Sequence, residues 1–366
     1  MKSCFNNIYK GKKVLITGHT GFKGSWLTIW LKMLGADVAG ISLEPSHEKC
    51  NYNTANLKSR TDSRFIDIRD FEALHQAISE IKPDIIFHLA AQALVGTSYD
   101  DPKTTFDTNI GGSLNVLESV RKSPGIKACV MITSDKCYKN VEQIWGYRED
   151  DRLGGDDPYS ASKAGAELII NSYTKSFFSG DDSTLIASTR AGNVIGGGDW
   201  SENRLVPDCI RHIMNKEPIV IRNPASTRPW QLVLEPLSGY LQLGQKLLEG
   251  DRELMQGWNF GPSMEECHTV LEVAEIIINL WGEGKTEIPG NQQAFYESNL
   301  LQLDCTKART KLGWKQTLNT QESLEYTVSW YKKFVKSPDS DLFDFCSTQI
   351  ASYQKLAHDR QSGWTQ

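Results

Sequence analysis

Tyr159-Ser160-Ala161-Ser162-Lys163 sets a phenol and an ammonium four residues apart. On a helix that spacing stacks both side chains on one face. A free tyrosine, with a pKa of about 10, is a poor base at neutral pH. A neighbouring ammonium favours the phenolate and lowers that value. Such a pair can take a proton from an alcohol while hydride leaves the same carbon. The lysine is also long enough to reach a cofactor ribose. Upstream, Thr133-Ser134-Asp135-Lys136 offers more acid–base groups. Ser134 is suited to hydrogen-bond the oxygen that Tyr159 deprotonates. Asp135 and Lys136 exceed what a plain alcohol dehydrogenation needs. Both stretches are common by themselves, so the elements that hold them decide their meaning.

Those elements alternate. Apolar runs at Val14 to Thr17, Val38 to Leu43, Arg64 to Ile68, Ile85 to Leu89, Cys129 to Thr133 and Thr184 to Arg190 predict six strands. Amphipathic stretches at Phe22 to Leu34, Phe71 to Ile81, about Pro102 to Arg121, and from Pro158 to about 177 predict helices between them. Gly35 and Pro83 end two of these. The pattern is that of an α/β, Rossmann-type doubly wound parallel sheet with helices on both faces. Ligands in such folds bind beyond the carboxyl ends of the strands. Ser134, Asp135 and Lys136 follow the fifth strand directly. After about residue 190 the alternation weakens, and Pro, Trp and Arg become prominent. We expect residues 1–190 to form a dinucleotide-binding domain to which later segments return. Residues 191–366 should form a smaller mixed α/β substrate-binding domain, partly interleaved, with a core helix at Leu271 to Trp281.

Between the first strand and helix stands Gly18-His19-Thr20-Gly21-Phe22-Lys23-Gly24. Gly18 suits the tight turn, Gly21 a close pyrophosphate, and Gly24 close helix–sheet packing. The helix N-terminus adds free N–H groups for phosphate. Thr20, Phe22 and Lys23 belong to the same turn. Further cofactor contacts are expected at Ser42, Leu43, Asp67, Ile68, Leu89, Ala90, Ala91, Gln92, Asn109 and Thr133, besides Tyr159 and Lys163. Asp67 reads equally as a helix cap. Ser42 stands where an acid for the adenosine ribose is usual, which leaves NAD and NADP open. The lack of an arginine beside it tilts the reading to NAD.

Composition removes other classes. The 366 residues carry a net charge of -5, with 39% hydrophobic and 23% charged residues. That balance is globular and has no basic footprint for nucleic acid. No apolar run approaches the roughly 20 residues a membrane span needs. Met1 to Lys13 lacks the apolar segment of a secretory leader. The eight cysteines are scattered without a Cys-x-x-Cys, and we read them as reduced thiols in a cytoplasmic protein. His47 with Cys50, and Cys267 with His268, fall short of a metal set.

Five stretches carry a resemblance: Thr17-Gly-His-Thr-Gly-Phe-Lys-Gly-Ser-Trp26, Ser134-Asp-Lys-Cys-Tyr138, Tyr159-x-x-x-Lys163, Gly192-Asn-Val-Ile-Gly-Gly-Gly-Asp-Trp200 and Arg228-Pro-Trp-Gln231. Over most of its length the chain resembles the extended short-chain dehydrogenase/reductase superfamily. Within that superfamily it is similar to the 4,6-dehydratases that act on CDP-glucose. Sugar-nucleotide 4,6-dehydratases more often carry Thr-Asp-Glu after the fifth strand. The resemblance implies tightly held NAD and conversion of CDP-glucose to CDP-4-keto-6-deoxyglucose plus water. That is an early step towards the dideoxyhexoses of bacterial surface polysaccharide such as lipopolysaccharide O-antigen. It also implies a homodimer or homotetramer built on the helices near 102–121 and 157–177. Asp135 becomes the acid at the C6 hydroxyl. Lys136 replaces the usual glutamate as the C5 base, which requires its neutral amine. Asn193, Arg204 and Arg228 become candidate ligands of the substrate diphosphate or sugar, since guanidinium matches paired phosphate oxygens. Trp230 is either a sugar contact or core. A 4-epimerase or reductase would need Tyr159 and Lys163 but not Asp135 and Lys136. A non-catalytic NAD(P)-binding scaffold would have lost one of the first pair.

Overall fold

The computed structural model describes residues 4–263, 266–289 and 301–365. Seven parallel strands form one sheet: β1 (Lys13–Thr17), β2 (Asp37–Ser42), β3 (Asp62–Phe65), β4 (Ile85–His88), β5 (Ala128–Ile132), β6 (Leu185–Arg190) and β7 (Gly257–Asn259). Their spatial order is β7-β6-β5-β4-β1-β2-β3. The chain runs one way from β1 to β3 and the other way from β4 to β7. The reversal lies between β1 and β4, where Thr17 pairs with His88. A crevice opens beyond the strand ends at such a reversal, and it is the ligand site of this architecture.

Alternation along the strands divides the core into two layers. Val14, Ile16, Phe87 and Val130 belong to a large cluster on one face. Helices α1 (Phe22–Met33), α6 (Leu234–Leu248) and α9 (Phe343–Asp359) cover that face. Leu15, Ile86, Cys129 and Met131 belong to a second cluster on the other face. It packs against α2 (Phe71–Ile81), α3 (Ser113–Lys122) and residues of α4 (Pro158–Phe177). Each fully buried Leu, Ile or Phe contributes roughly 1.5–3 kcal/mol, so the strand runs fix the sheet. Helix α5 (Leu205–Met214), α7 (Val270–Trp281) and α8 (Thr320–Lys336) lie in the later part of the chain. That part nonetheless returns to the sheet. Gly257–Asn259 pairs with β6, and Tyr353 of α9 packs edge-on to Trp30 of α1.

Two expected elements differ. The third strand covers Asp62–Phe65, not Arg64 to Ile68. It is the sheet edge, so its residues are half-buried or exposed. Ile68 is buried beyond the strand, against the backbone of Gly112. The helix expected over Pro102 to Arg121 is broken into Pro102–Phe106, a π-helical stretch Asp107–Gly112, and α3. Such insertions disturb the helix face locally and often mark functional positions. Here it carries Asn109.

Candidate active site

The glycine-rich turn follows β1. Gly18 has φ +78°, and a Cβ there would lie 2.7 Å from the Ala90 nitrogen after β4. A Cβ on Gly24 would lie 2.1 Å from the Gly18 carbonyl. Only glycine permits both approaches. Gly21 has only the Gly18 carbonyl within reach, at 3.3 Å, and it caps α1 without a side chain. The first turn of α1 therefore presents free backbone N–H groups to the crevice. Thr20 ties this turn to the end of β2, with its Oγ1 2.7 Å from Ser42 Oγ and donating to the Leu43 carbonyl at 3.0 Å. These features fit a dinucleotide pyrophosphate. The Asp67 carboxylate holds Arg69 at 2.6 Å, which keeps it below the usual carboxylate range. Asp70, not Asp67, caps α2.

Beyond β4, Gln92 is clamped by Asn109. The Asn109 Oδ1 accepts from Gln92 N at 2.9 Å, and its Nδ2 donates to the Gln92 carbonyl at 3.0 Å. That Nδ2 also donates to Ser162 Oγ at 2.8 Å, and Ser162 donates to the Tyr159 carbonyl at 2.7 Å. The π-helical stretch thus connects the β4 end to the helix that bears the Tyr/Lys pair. Leu89 N donates to the Thr17 carbonyl, keeping Leu89, Ala90 and Ala91 against the turn.

Helix α4 starts at Asp157, whose carboxylate accepts from Ser160 N at 2.9 Å, with Pro158 in the first turn. This cap places Tyr159 at the helix mouth and Lys163 one turn in. Both are buried, and the Lys163 Nζ lies 6.0 Å from the Tyr159 ring centroid. Burial pushes the Tyr159 phenol up to about 12, against the lowering effect of its hydrogen bond with Ser134. Burial lowers the Lys163 ammonium to about 8, opposed by Cys137 and Glu167. Ser134 and Asp135 follow β5, and both are buried. Ser134 Oγ donates to Asp135 Oδ1 at 2.9 Å and accepts from Lys136 N at 3.2 Å. Lys136 itself is only partly buried. The structure therefore gathers Ser134, Asp135, Tyr159 and Lys163 at one strand end. A phenol, an ammonium, a hydroxyl and a carboxyl there can move protons at two different substrate oxygens.

A network that sequence reasoning missed lies behind them. Glu167, one turn beyond Lys163, accepts from Thr133 Oγ1 at 2.5 Å, Ser188 Oγ at 2.8 Å and Arg190 Nε at 3.0 Å. Arg190 also donates to the Tyr138 hydroxyl at 2.6 Å. The ion pair is buried on both sides, at 5% and 3% exposure. It locks α4 to the ends of β5 and β6. The one sequence signal was a glutamate four residues after Lys163. Lys23, expected at the cofactor, is partly buried at the start of α1. Its ammonium lies 6.0 Å from the Tyr240 ring, with burial and the charges of Arg204 and Lys163 lowering it to about 8, while Asp135 opposes.

On the substrate side, Asn193 has φ +51° and shares a cavity of about 10 Å³ with Asp135, Gly192, Gln231 and Leu303. Arg204 pairs with Asp199 at 3.0 Å, and its charge reaches Tyr159. Arg228 sits on a short strand opposite His268 and donates to the Thr227 carbonyl. Trp230 is a buried member of the large core cluster. His47 stacks on Trp200, and His268 faces Glu272 at 3.9 Å.

The chain is similar to known proteins. The model of the family described as GDP-mannose 4,6 dehydratase matches residues 15–327. A CDP-glucose 4,6-dehydratase of Salmonella typhimurium is 45% identical over 337 residues, covering 91% of this chain and 94% of that protein. An epimerase structure from Methanothermobacter thermautotrophicus aligns with TM-score 0.77 and 27% identity, covering 90% of this chain and 95% of that one. A dTDP-glucose 4,6-dehydratase structure from Streptomyces venezuelae, with NAD and TYD bound, aligns with TM-score 0.75 and 21% identity, covering 90% and 99%.

Proposed function

The chain belongs to the GDP-mannose 4,6 dehydratase family, and on that premise we propose that it converts CDP-glucose to CDP-4-keto-6-deoxyglucose and water. The observation that carries this reading is the buried Asp135 carboxyl, which accepts from Ser134 Oγ at 2.9 Å at the same strand end as the buried Tyr159. Hydride exchange at C4 alone has no use for it. The cofactor is NAD, held by the turn from Gly18 to Gly24, by Ser42 and by Lys163. Arg64, paired with Ile41 beside Ser42, is committed to Asp62 at 3.2 Å and to Glu80 at 2.6 Å, which argues against its holding a 2′-phosphate. Bound there, the cofactor would supply reversible hydride transfer to and from the sugar.

The chain's own residues move the protons. Tyr159, held beside Lys163, removes the C4 hydroxyl proton while Ser134 holds the oxygen. The C4 ketone then acidifies the C5 proton. Lys136 removes it, and Asp135 protonates the departing C6 hydroxyl. Lys136 returns a proton to C5 as hydride reaches C6. Arg204 and Arg228 bind the diphosphate, and Asn193 orients the sugar. Leu168 and Phe177 of α4 are exposed apolar residues, at 59% and 51%. They support a homodimer or homotetramer on that face. All eight cysteines are free thiols, which supports a cytoplasmic enzyme. No helix among the described residues is long and apolar enough to cross a membrane. The pathway position is early in deoxysugar supply for surface polysaccharide.

The test is incubation with CDP-, UDP- and dTDP-glucose, followed by mass analysis. We expect the CDP sugar alone to lose one water and gain a ketone. An unchanged mass with inversion at C4 would make the chain an epimerase instead.

A further inference from the structure

Elimination at C5 and C6 makes a water molecule inside a closed site. As Asp135 gives its proton to the C6 oxygen, the C6–O bond breaks. The electron pair of the C5–H bond becomes the C5–C6 double bond. The water leaves with two O–H donors, and Asp135 is left as a carboxylate, which only accepts.

A cavity beside Asp135 has the size and the chemistry for that molecule. It measures about 10 Å³, and its walls include Asp135, Gly192, Gln231 and Gly261. One water needs roughly 10–15 Å³ and about two to four polar partners. Gln231 is buried completely, at 0% exposure. Its Nε2 donates to the Gly192 carbonyl at 3.1 Å and to the Phe260 carbonyl at 3.0 Å. Both of those groups are acceptors, so the amide has one possible orientation. That orientation leaves Oε1, also buried, with no hydrogen-bond partner among the described residues. Buried side-chain acceptors are nearly always paired, so this one points to a donor from outside the chain. The Asp135 carboxylate is a second acceptor on the same walls. Its Oδ1 accepts from Ser134 Oγ at 2.9 Å, and its Oδ2 lies against Gly192, where a Cβ would come within 1.8 Å.

We propose that this cavity receives the water eliminated from C6. The water donates one hydrogen to Gln231 Oε1 and the other to the Asp135 carboxylate. The match exists only after proton transfer. Before it, Asp135 is itself a donor, and the C6 hydroxyl is bonded to carbon and has a single hydrogen. After it, two acceptors meet a molecule with two donors. The site therefore favours the eliminated state over the bound alcohol, and binding of that kind accelerates the step. It also keeps the water off the new double bond until hydride reaches C6. The site rests on the dehydratase reading, since a 4-epimerase forms no water.

The experiment compares single-turnover water loss from CDP-glucose with fluoride release from CDP-6-deoxy-6-fluoroglucose, using the holoenzyme and its Gln231→Leu variant. Fluoride leaves as an anion, with no hydrogen to donate to either acceptor. The leucine variant should lose water at least about fivefold more slowly than the wild type, with fluoride release within about twofold. Gly261→Ala keeps Gln231 and adds a methyl to the cavity wall, with its nearest contact at 3.4 Å. It should show the same split, and it carries the test if the leucine variant does not fold. Equal losses with both sugars would make Gln231 merely structural and overturn the site, as would no loss with either. A wild type that makes no 4-keto-6-deoxy sugar overturns the dehydratase reading itself, a distinct result.

Discussion

The Asp135 carboxylate occupies the space that a side chain at residue 192 would need: a Cβ on Gly192 would lie 1.8 Å from Asp135 Oδ2. Gly192→Ala must therefore push the acid away from the substrate. A misplacement of about 1 Å costs on the order of 100-fold in rate. We expect dehydration by this variant to fall by about that factor, with C4 oxidation retained. Product assay beside the absorbance of reduced nicotinamide checks it, and full dehydration would remove Asp135 from the acid role.

Lys136→Ala should stop the cycle at the same stage for a different reason. Without the C5 base the 4-ketone forms but water loss is slowed. General acid–base groups contribute about 10²–10⁴-fold, so water loss should fall within that range. Stopped-flow absorbance with a product assay reads both halves. Unimpaired turnover would exclude Lys136 as the base.

Lys163 sets the alkaline limit. Burial lowers its ammonium to about 8, so it is charged below that pH and neutral above. Loss of the charge withdraws the support of the Tyr159 phenolate. The kcat/KM profile should fall about tenfold per pH unit above roughly 8. Lys163→Arg, whose guanidinium stays charged, should lose this limb even if its rate is low. A limb unchanged in the arginine variant would assign it to another group.

Glu167→Gln breaks a buried ion pair and strands Arg190. Removing one partner of such a pair costs about 3–5 kcal/mol. Urea denaturation should show a loss of that size, and a change under 1 kcal/mol would mean Arg190 finds another acceptor.

Five strands were legible because their apolar runs are short, continuous and bounded by Gly or Pro. The third was misplaced because Ile66 and Ile68 look like a strand, whereas the edge strand itself is polar and Ile68 packs on Gly112. The π-helical stretch was hidden, since a local extra residue barely disturbs helical periodicity. That Tyr159, Lys163, Ser134 and Asp135 lie at one strand end was legible from spacing and strand-end position. Glu167 and Arg190 were not, because a charge on a helix and a charge on a strand give no sign in sequence that they meet.

The central claim is that hydride is taken from C4 and returned to C6 of the same sugar. CDP-glucose deuterated at C4 tests it most directly, with the product examined by proton NMR. We predict deuterium in the C6 methyl group, as CH₂D, with a ketone at C4. Deuterium retained at C4, or a C6 methyl without it, would contradict the account.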